Sequence, residues 1–204
     1  MLISDKISCK DFPCEDINKK GYLVPQVDID VEKIKIIMIS EVTPEDSKDY
    51  FYAKGTPDYM ETTMQLFKDA GYNVSSMEDI LKLGVYITTA IKCAKIGYSI
   101  PTNAIKNCSE ILEKELALFP NVKAYILNSD AAIKAFNYIS KRTTGDKAIP
   151  TGSTYKIRSN KFYFKNARVF PSYILTGKNL LIEKSKRKMI ADDIKEAFTY
   201  ANTD

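Results

Sequence analysis

The chain has 204 residues, 45% of them hydrophobic, enough to bury one substantial core, so a single domain over residues 1–204 is expected. It contains no histidine, which excludes Ser-His and Cys-His nucleophile pairs and any His-ligated metal. The net charge of +4 hides an asymmetry, because residues 1–83 hold 16 acidic and 10 basic side chains whereas residues 84–204 hold 10 acidic and 20 basic.

In chain order, the opening MLISDKISCKDFPC is polar, lacks the apolar core of a signal peptide and carries Cys9 and Cys14. No later apolar run approaches the roughly 20 residues of a membrane span. A cytoplasmic monomer without a membrane partner is therefore expected. Four cysteines in a chain of this length suit thiol chemistry or metal ligation better than a disulfide framework. No regular period appears before about Asp30. Ile34 to Ile39, IKIIMI, suits a central strand buried on both faces, and the acidic loop Ser40-Glu41-Val42-Thr43-Pro44-Glu45-Asp46 follows it at the sheet edge.

Tyr50, Phe51, Tyr52 and Gly55 make an aromatic loop. Thr56-Pro57 opens a helix with Met60, Met64 and Phe67 at apolar spacing and Gly71 as its stop. Ser75 and Glu78 form a capping box before a short helix ending near Gly84. Val85 to Lys92 reads as a strand with Cys93 at its end. A loop with Gly97 and Pro101 leads to a helix from Thr102 to Phe119, capped by Thr102 or Asn103 and bearing Cys108. Two thiols at the carboxyl edge of a sheet make a candidate site, since open α/β folds place ligands there.

Val122 to Leu127 is a further strand, and Ser129 or Asp130 caps a helix to about Arg142. Tyr155–Arg158 and Phe162–Lys165 flank three polar residues and are expected to form a hairpin. Ala167 to Phe170 is a strand stopped by Pro171, and a last helix runs near Ser185 to Ala201. Between Tyr155 and Lys188 ten Lys or Arg stand against one acid, Glu183. Such a surface points to a polyanion, although an ordinary solvated face has the same composition. Strands separated by helices imply an α/β fold, a three-layer α/β/α sandwich around a mainly parallel four-stranded sheet.

Four motifs stand at these strand ends: Ser40-Glu41-Val42-Thr43-Pro44, Thr88-Thr89-Ala90-Ile91-Lys92-Cys93, Pro101-Thr102 with Cys108 behind it, and Phe170-Pro171-Ser172-Tyr173-Ile174. In this order they resemble the uracil-DNA glycosylase superfamily, closest to its iron–sulfur branch, family 4. Members of that branch show Gly-Glu-Ala-Pro-Gly, Thr-Asn-x-x-Lys-Cys, a Pro-Thr loop before a Cys-bearing helix, and His-Pro-Ser-Tyr-Leu. The likeness spans about residues 9 to 200. It implies that Cys9, Cys14, Cys93 and Cys108 ligate a 4Fe–4S cluster; zinc is the other group that four thiolates suit. The spacing departs from the family, with four residues rather than two between Cys9 and Cys14.

The resemblance also implies that Glu41 orients or deprotonates a water and that Phe51 or Tyr52 stacks on an extruded base. Thr89, Phe170 and Ser172 would meet the substrate. The DNA-facing segment would comprise Tyr173, Ile174, Lys178, Lys184, Lys186, Arg187 and Lys188, with Ile174 or Leu175 as a wedge. Two departures bear on chemistry. Thr89 offers a hydroxyl where the family has an amide, and Phe170 replaces the histidine that stabilises charge on the leaving uracil. Losing one positioned acid–base group costs roughly 10²–10⁴ in rate. The expectation is a DNA-binding protein whose base-excision activity on uracil is weakened or altered. The rival is a non-catalytic iron–sulfur nucleic-acid-binding module, and a small-molecule enzyme on the same scaffold is a third class.

Overall fold

The computed structural model describes residues 1–203, and the side chains of all of these except 178 and 179. Its centre is one sheet of six strands: β1 (Ile17–Asn18), β2 (Ile36–Thr43), β3 (Val85–Lys95), β4 (Ala124–Leu127), β5 (Phe162–Phe164) and β6 (Ala167–Pro171). The spatial order is β1-β3-β2-β4-β6-β5. β3, β2, β4 and β6 are mutually parallel, as expected, while β1 and β5 add antiparallel edges. The expected four-stranded sheet is thus widened to six. The additions are two and three residues long, too short for a strand period to show in the sequence.

Helices cover both faces: α1 (Asp58–Asp69), α2 (Met77–Lys82), α3 (Thr102–Leu116), α4 (Asp130–Thr144), the single turn α5 (Thr154–Ile157) and α6 (Lys184–Ala201). Alternation along β2 sends Ile37 and Ile39 into the apolar layer under α3 and α4, and Ile36 and Met38 into the layer under α1, α2 and α6. The link from β2 to β3 runs through α1 and α2, and the link from β4 to β6 runs through α4 on the opposite face. The chain therefore reverses its winding between β2 and β4, and a crevice opens at their carboxyl ends.

Residues 1–30 show no period because they form hardly any regular structure. They pack Ile3, Ile7, Ile17, Val24 and Ile29 onto the α3–α4 layer instead. Gly21 lets this segment cross β3 closely, since a Cβ there would stand 2.5 Å from the Ala94 Cβ. The Leu23 N–H donates to the Lys92 carbonyl at 2.7 Å, and the Thr43 hydroxyl donates to the Gly21 carbonyl at 2.9 Å.

Several local expectations are corrected. β2 continues through Glu41 to Thr43, so Glu41 is a strand residue and not a loop acid. β3 continues past Cys93 to Lys95. Pro101, not Thr102 or Asn103, stands at the α3 N-cap. The α2 cap is Ser76, whose hydroxyl accepts from Asp79 N–H, and the Asp79 carboxylate reaches back to Ser75; the box lies one residue beyond the expected Ser75–Glu78 pair. No hairpin forms before Phe162. Residues 154–157 make the turn α5, and β5 pairs with β6.

Candidate functional site at the carboxyl edge of the sheet

At the crevice lies a cleft of about 600 Å³ lined by Glu41 from β2, Ser129 and Asp130 at the start of α4, Thr154 and Tyr155 of α5, and Ser172, Tyr173 and Ile174 after β6. Glu183 and Lys186 close one side. Two widely separated motif residues, Glu41 and Ser172, thus share one cavity. The Glu41 carboxylate is partly buried and holds Lys95 Nζ at 3.5 Å. Ser172 is buried, and its hydroxyl donates to Asp193 Oδ2 at 2.6 Å. Asp193, on α6, also takes Arg158 Nη2 at 2.5 Å. Burial raises the Asp193 carboxyl to about 6, against the opposing pull of Ser172 and Arg158.

The other proposed contacts divide. Ile174 is 43% exposed at the cleft, whereas Leu175 is fully buried, so only Ile174 can act as a wedge. Thr89 is buried, and its hydroxyl has no hydrogen-bond partner among the described residues. Phe51 does not line the cleft; it packs in the α1–α6 layer against Tyr50 and Tyr59, which corrects its assignment as an open stacking face. Tyr52 hydrogen-bonds both backbone groups of Ile87 through its hydroxyl and stacks on Tyr86. Phe170 is buried in the same layer as Phe51, with the Arg168 guanidinium 4.7 Å from its ring centre.

The basic surface is smaller than the sequence count. Arg158 is held by Asp193, Arg168 by the carbonyls of Asn160 and Phe162, and Lys186 by Glu183 at 2.5 Å. Arg187 donates twice to Asp69 of α1, at 2.6 and 3.0 Å, so its assignment to DNA is corrected to a tie between two helices. Lys184 and Lys188 remain exposed. The side chain of Lys178 lies outside the described residues.

The four cysteines come from the N-terminal segment, β3 and α3, and all of them line one cavity of about 250 Å³ beside Phe12, Tyr22 and Asn107. Burial and the nearness of Cys108, Cys9 and Cys14 push the Cys93 thiol up to about 12. The Asn107 amide lies 3.6 Å from Cys14 Sγ, and the Tyr22 hydroxyl accepts from Cys9 N–H. Among the described residues no group of three or more His, Cys, Asp or Glu stands close enough to grip a metal ion. A single zinc needs thiolates at about 2.3 Å from one point, whereas a four-iron cubane spreads its thiolates around a wider cage. The four thiols share one cavity, but their placement does not by itself distinguish a cluster from a lone ion.

Sequence reasoning missed the polar network beneath β3. Lys92 and Glu115 are both 0% exposed and meet at 2.5 Å. Lys92 Nζ also donates to Thr88 Oγ1 at 2.6 Å and to the Thr89 carbonyl at 2.8 Å, while Glu115 accepts from Tyr86 and Thr88. The signal was present: a lysine inside the run from Val85 to Ala94 must find a buried partner. Asp193, Arg158 and Asn128 gave no comparable signal, because their partners lie on distant segments.

Compared with known proteins, the chain matches no family model and no curated protein. No helix among the described residues is long and apolar enough to cross a membrane.

Proposed function

We propose that the protein is a DNA-binding, uracil-DNA-glycosylase-like protein of the iron–sulfur type, with base excision turned away from efficient uracil removal. The observation that supports this is convergence. Motifs spread from Cys9 to Ser172 bring Glu41 and Ser172 to one cleft and four cysteines to one cavity. A 4Fe–4S cluster held by Cys9, Cys14, Cys93 and Cys108 would pin the N-terminal segment to β3 and α3, a structural task. In the cleft, Glu41 positions a water for attack at the sugar carbon of an extruded nucleotide, and Ile174 fills the space the base leaves. With Phe170 buried in an apolar layer, charge on the departing base is met by hydroxyl and main-chain donors alone, so turnover on uracil is slow.

Two measurements test the reading together. Anaerobically purified protein should be brown and contain iron and sulfide, and Cys93→Ala should lose both colour and stability. Colourless, iron-free and fully folded wild type would sink the cluster. A panel of damaged-base oligonucleotides then reports excision. DNA binding without turnover on any of them would favour the non-catalytic nucleic-acid-binding module.

A further inference from the structure

One level of the sheet is polar where the level beneath it is apolar. Ile87, Met38, Ile126 and Phe170 stand in register across β3, β2, β4 and β6 and pack into the α1–α6 layer. Two residues further along each chain, on the same face, come Thr89, Ser40, Asn128 and Ser172. Thr89 and Ser40 are direct register partners. The Asn128 N–H donates to the Ile39 carbonyl at 2.8 Å and the Ser172 N–H to the Leu127 carbonyl at 2.9 Å, which carries the same register outward.

All four side chains are buried. Ser172 is satisfied by Asp193, but Thr89 Oγ1, Ser40 Oγ and Asn128 Oδ1 have no hydrogen-bond partner among the described residues. Orphaned buried polar atoms are uncommon and costly, and three on one row call for a partner that the chain itself does not supply. The row lies directly behind the cleft lining, which only Ser172 of the four reaches, while Ser40 precedes the lining residue Glu41. Ser172 belongs to both, and Asn128 lies between two cleft residues, preceding Ser129 in sequence and donating from Nδ2 to the Tyr173 carbonyl at 3.1 Å. That bond fixes which way the amide points. Asn128 Oδ1 is left as an acceptor and cannot become a donor without giving up Tyr173.

We propose that this row is the base-reading floor of the cleft, with Asn128 as its specificity-determining residue, accepting a hydrogen bond from a ring N–H or exocyclic amino group of the bound base. This rests on the reading of the protein as one that draws a nucleotide out of DNA. The ligand class is a nucleobase with an N–H on the edge that enters first. The Ser40 and Thr89 hydroxyls, able to donate or accept, meet the flanking carbonyl or ring nitrogen. A base whose corresponding nitrogen is alkylated leaves Oδ1 unmet and places a methyl group against it.

The test measures fluorescence anisotropy with short single-stranded DNAs carrying one uracil or one hypoxanthine, each beside its counterpart methylated at the ring N–H. Wild type should bind the N–H form of at least one base about tenfold or more tightly than its methylated form, the scale of one unmet buried acceptor. Asn128→Ala should bring that preference below about twofold. Preference retained in Asn128→Ala, or absent from the wild type, overturns the proposal. If Asn128→Ala fails to fold, Ser40→Ala and Thr89→Val decide. Each removes an orphaned hydroxyl and should raise the urea midpoint while weakening binding of the N–H base. A purely structural role would lower the midpoint and leave binding alone, which would also overturn the proposal. Binding to DNA without N–H preference sinks only the role of the row, whereas no binding to any of these DNAs sinks the DNA reading itself.

Discussion

Replacing Lys92 by Met takes the charge out of a fully buried ion pair while keeping most of the side-chain volume. Lys92 Nζ has three acceptors within 2.8 Å: Glu115 Oε2, Thr88 Oγ1 and the Thr89 carbonyl. Removing it leaves Glu115 with only the hydroxyls of Tyr86 and Thr88, at 2.6 and 2.8 Å, and no counter-charge. Stripping one partner from a buried pair costs about 3–5 kcal/mol, a large part of the roughly 5–15 kcal/mol that holds a domain together. Urea unfolding should show this loss as a lower midpoint at constant slope. The companion variant Lys92→Met with Glu115→Leu should recover at least half of it, because an apolar pair of similar volume carries no desolvation penalty. The residual deficit reflects the Tyr86 and Thr88 hydroxyls, which lose their acceptor. A loss under about 1 kcal/mol in Lys92→Met, or a double variant no better than the single one, would show that the pair does not carry the energy its burial implies. Since Lys92 also holds the Thr89 carbonyl and precedes Cys93, the single variant should also lose iron if the proposed cluster is present.

The remaining predictions concern pH and salt. Asp193 has its carboxyl raised by burial from 3.8 to about 6, so its contribution to stability is complete below about pH 4 and is lost as pH rises through about 6, a swing on the order of 3 kcal/mol. Asp193→Asn should flatten that stretch of the urea-midpoint profile, and an unchanged profile would show that another group titrates there. Replacing Lys184 and Lys188 by Ala should reduce the logarithmic salt slope of duplex binding by about 0.9 for each lost phosphate contact. Arg187→Ala should instead leave the slope unchanged and lower stability by about 1 kcal/mol, the upper range for a partly exposed pair; a smaller slope in that variant would return Arg187 to the DNA interface.

The layered α/β order was legible because strands and helices of ordinary length leave their periods in the sequence. IKIIMI marked a central strand, and the apolar spacing of Met60, Met64 and Phe67 marked α1. The edge strands left no such trace, and neither did the first thirty residues, whose apolar side chains are placed by tertiary packing. Within the site, Glu41, Ser172, Cys93 and Cys108 could be named because each sits in or beside a short ordered motif, and Cys9 and Cys14 because they are the only other cysteines in the chain. The charge count misled for a physical reason: sequence cannot tell an arginine facing solvent from one spent on a carboxylate 35 positions away, as Arg158 is on Asp193. Asn128 was invisible in the same way. An Asn at a strand end reads as turn chemistry, and only the register of four strands reveals that its oxygen stands on a buried row without a partner among the described residues.

On the proposed reading of the protein as a base-excising one, the electrostatics of the cleft bear on which base can leave. Its lining holds three carboxylates, Glu41, Asp130 and Glu183, of which Glu183 binds Lys186 and Glu41 pairs with Lys95 at its edge, so the excess of negative charge is small. Were DNA to bind as proposed, its phosphates would lie outside the cleft, near the exposed Lys156, Lys161, Lys184 and Lys188. A sugar that gains positive charge as its bond to the base breaks is stabilised by those carboxylates. A base departing as an anion is repelled by them, and the buried ring of Phe170 offers no donor in compensation. The same field favours a base that leaves neutral, having taken up a proton on a ring nitrogen. Single-turnover excision of a purine such as hypoxanthine should therefore accelerate as pH falls from 8 towards 6, by up to about tenfold per unit while protonation limits the rate, whereas excision of uracil should not. Uracil removed faster than the purine throughout that range, with no acceleration of the purine on acidification, would mean that the cleft stabilises an anion after all and that a donor not identified among the described residues performs the task.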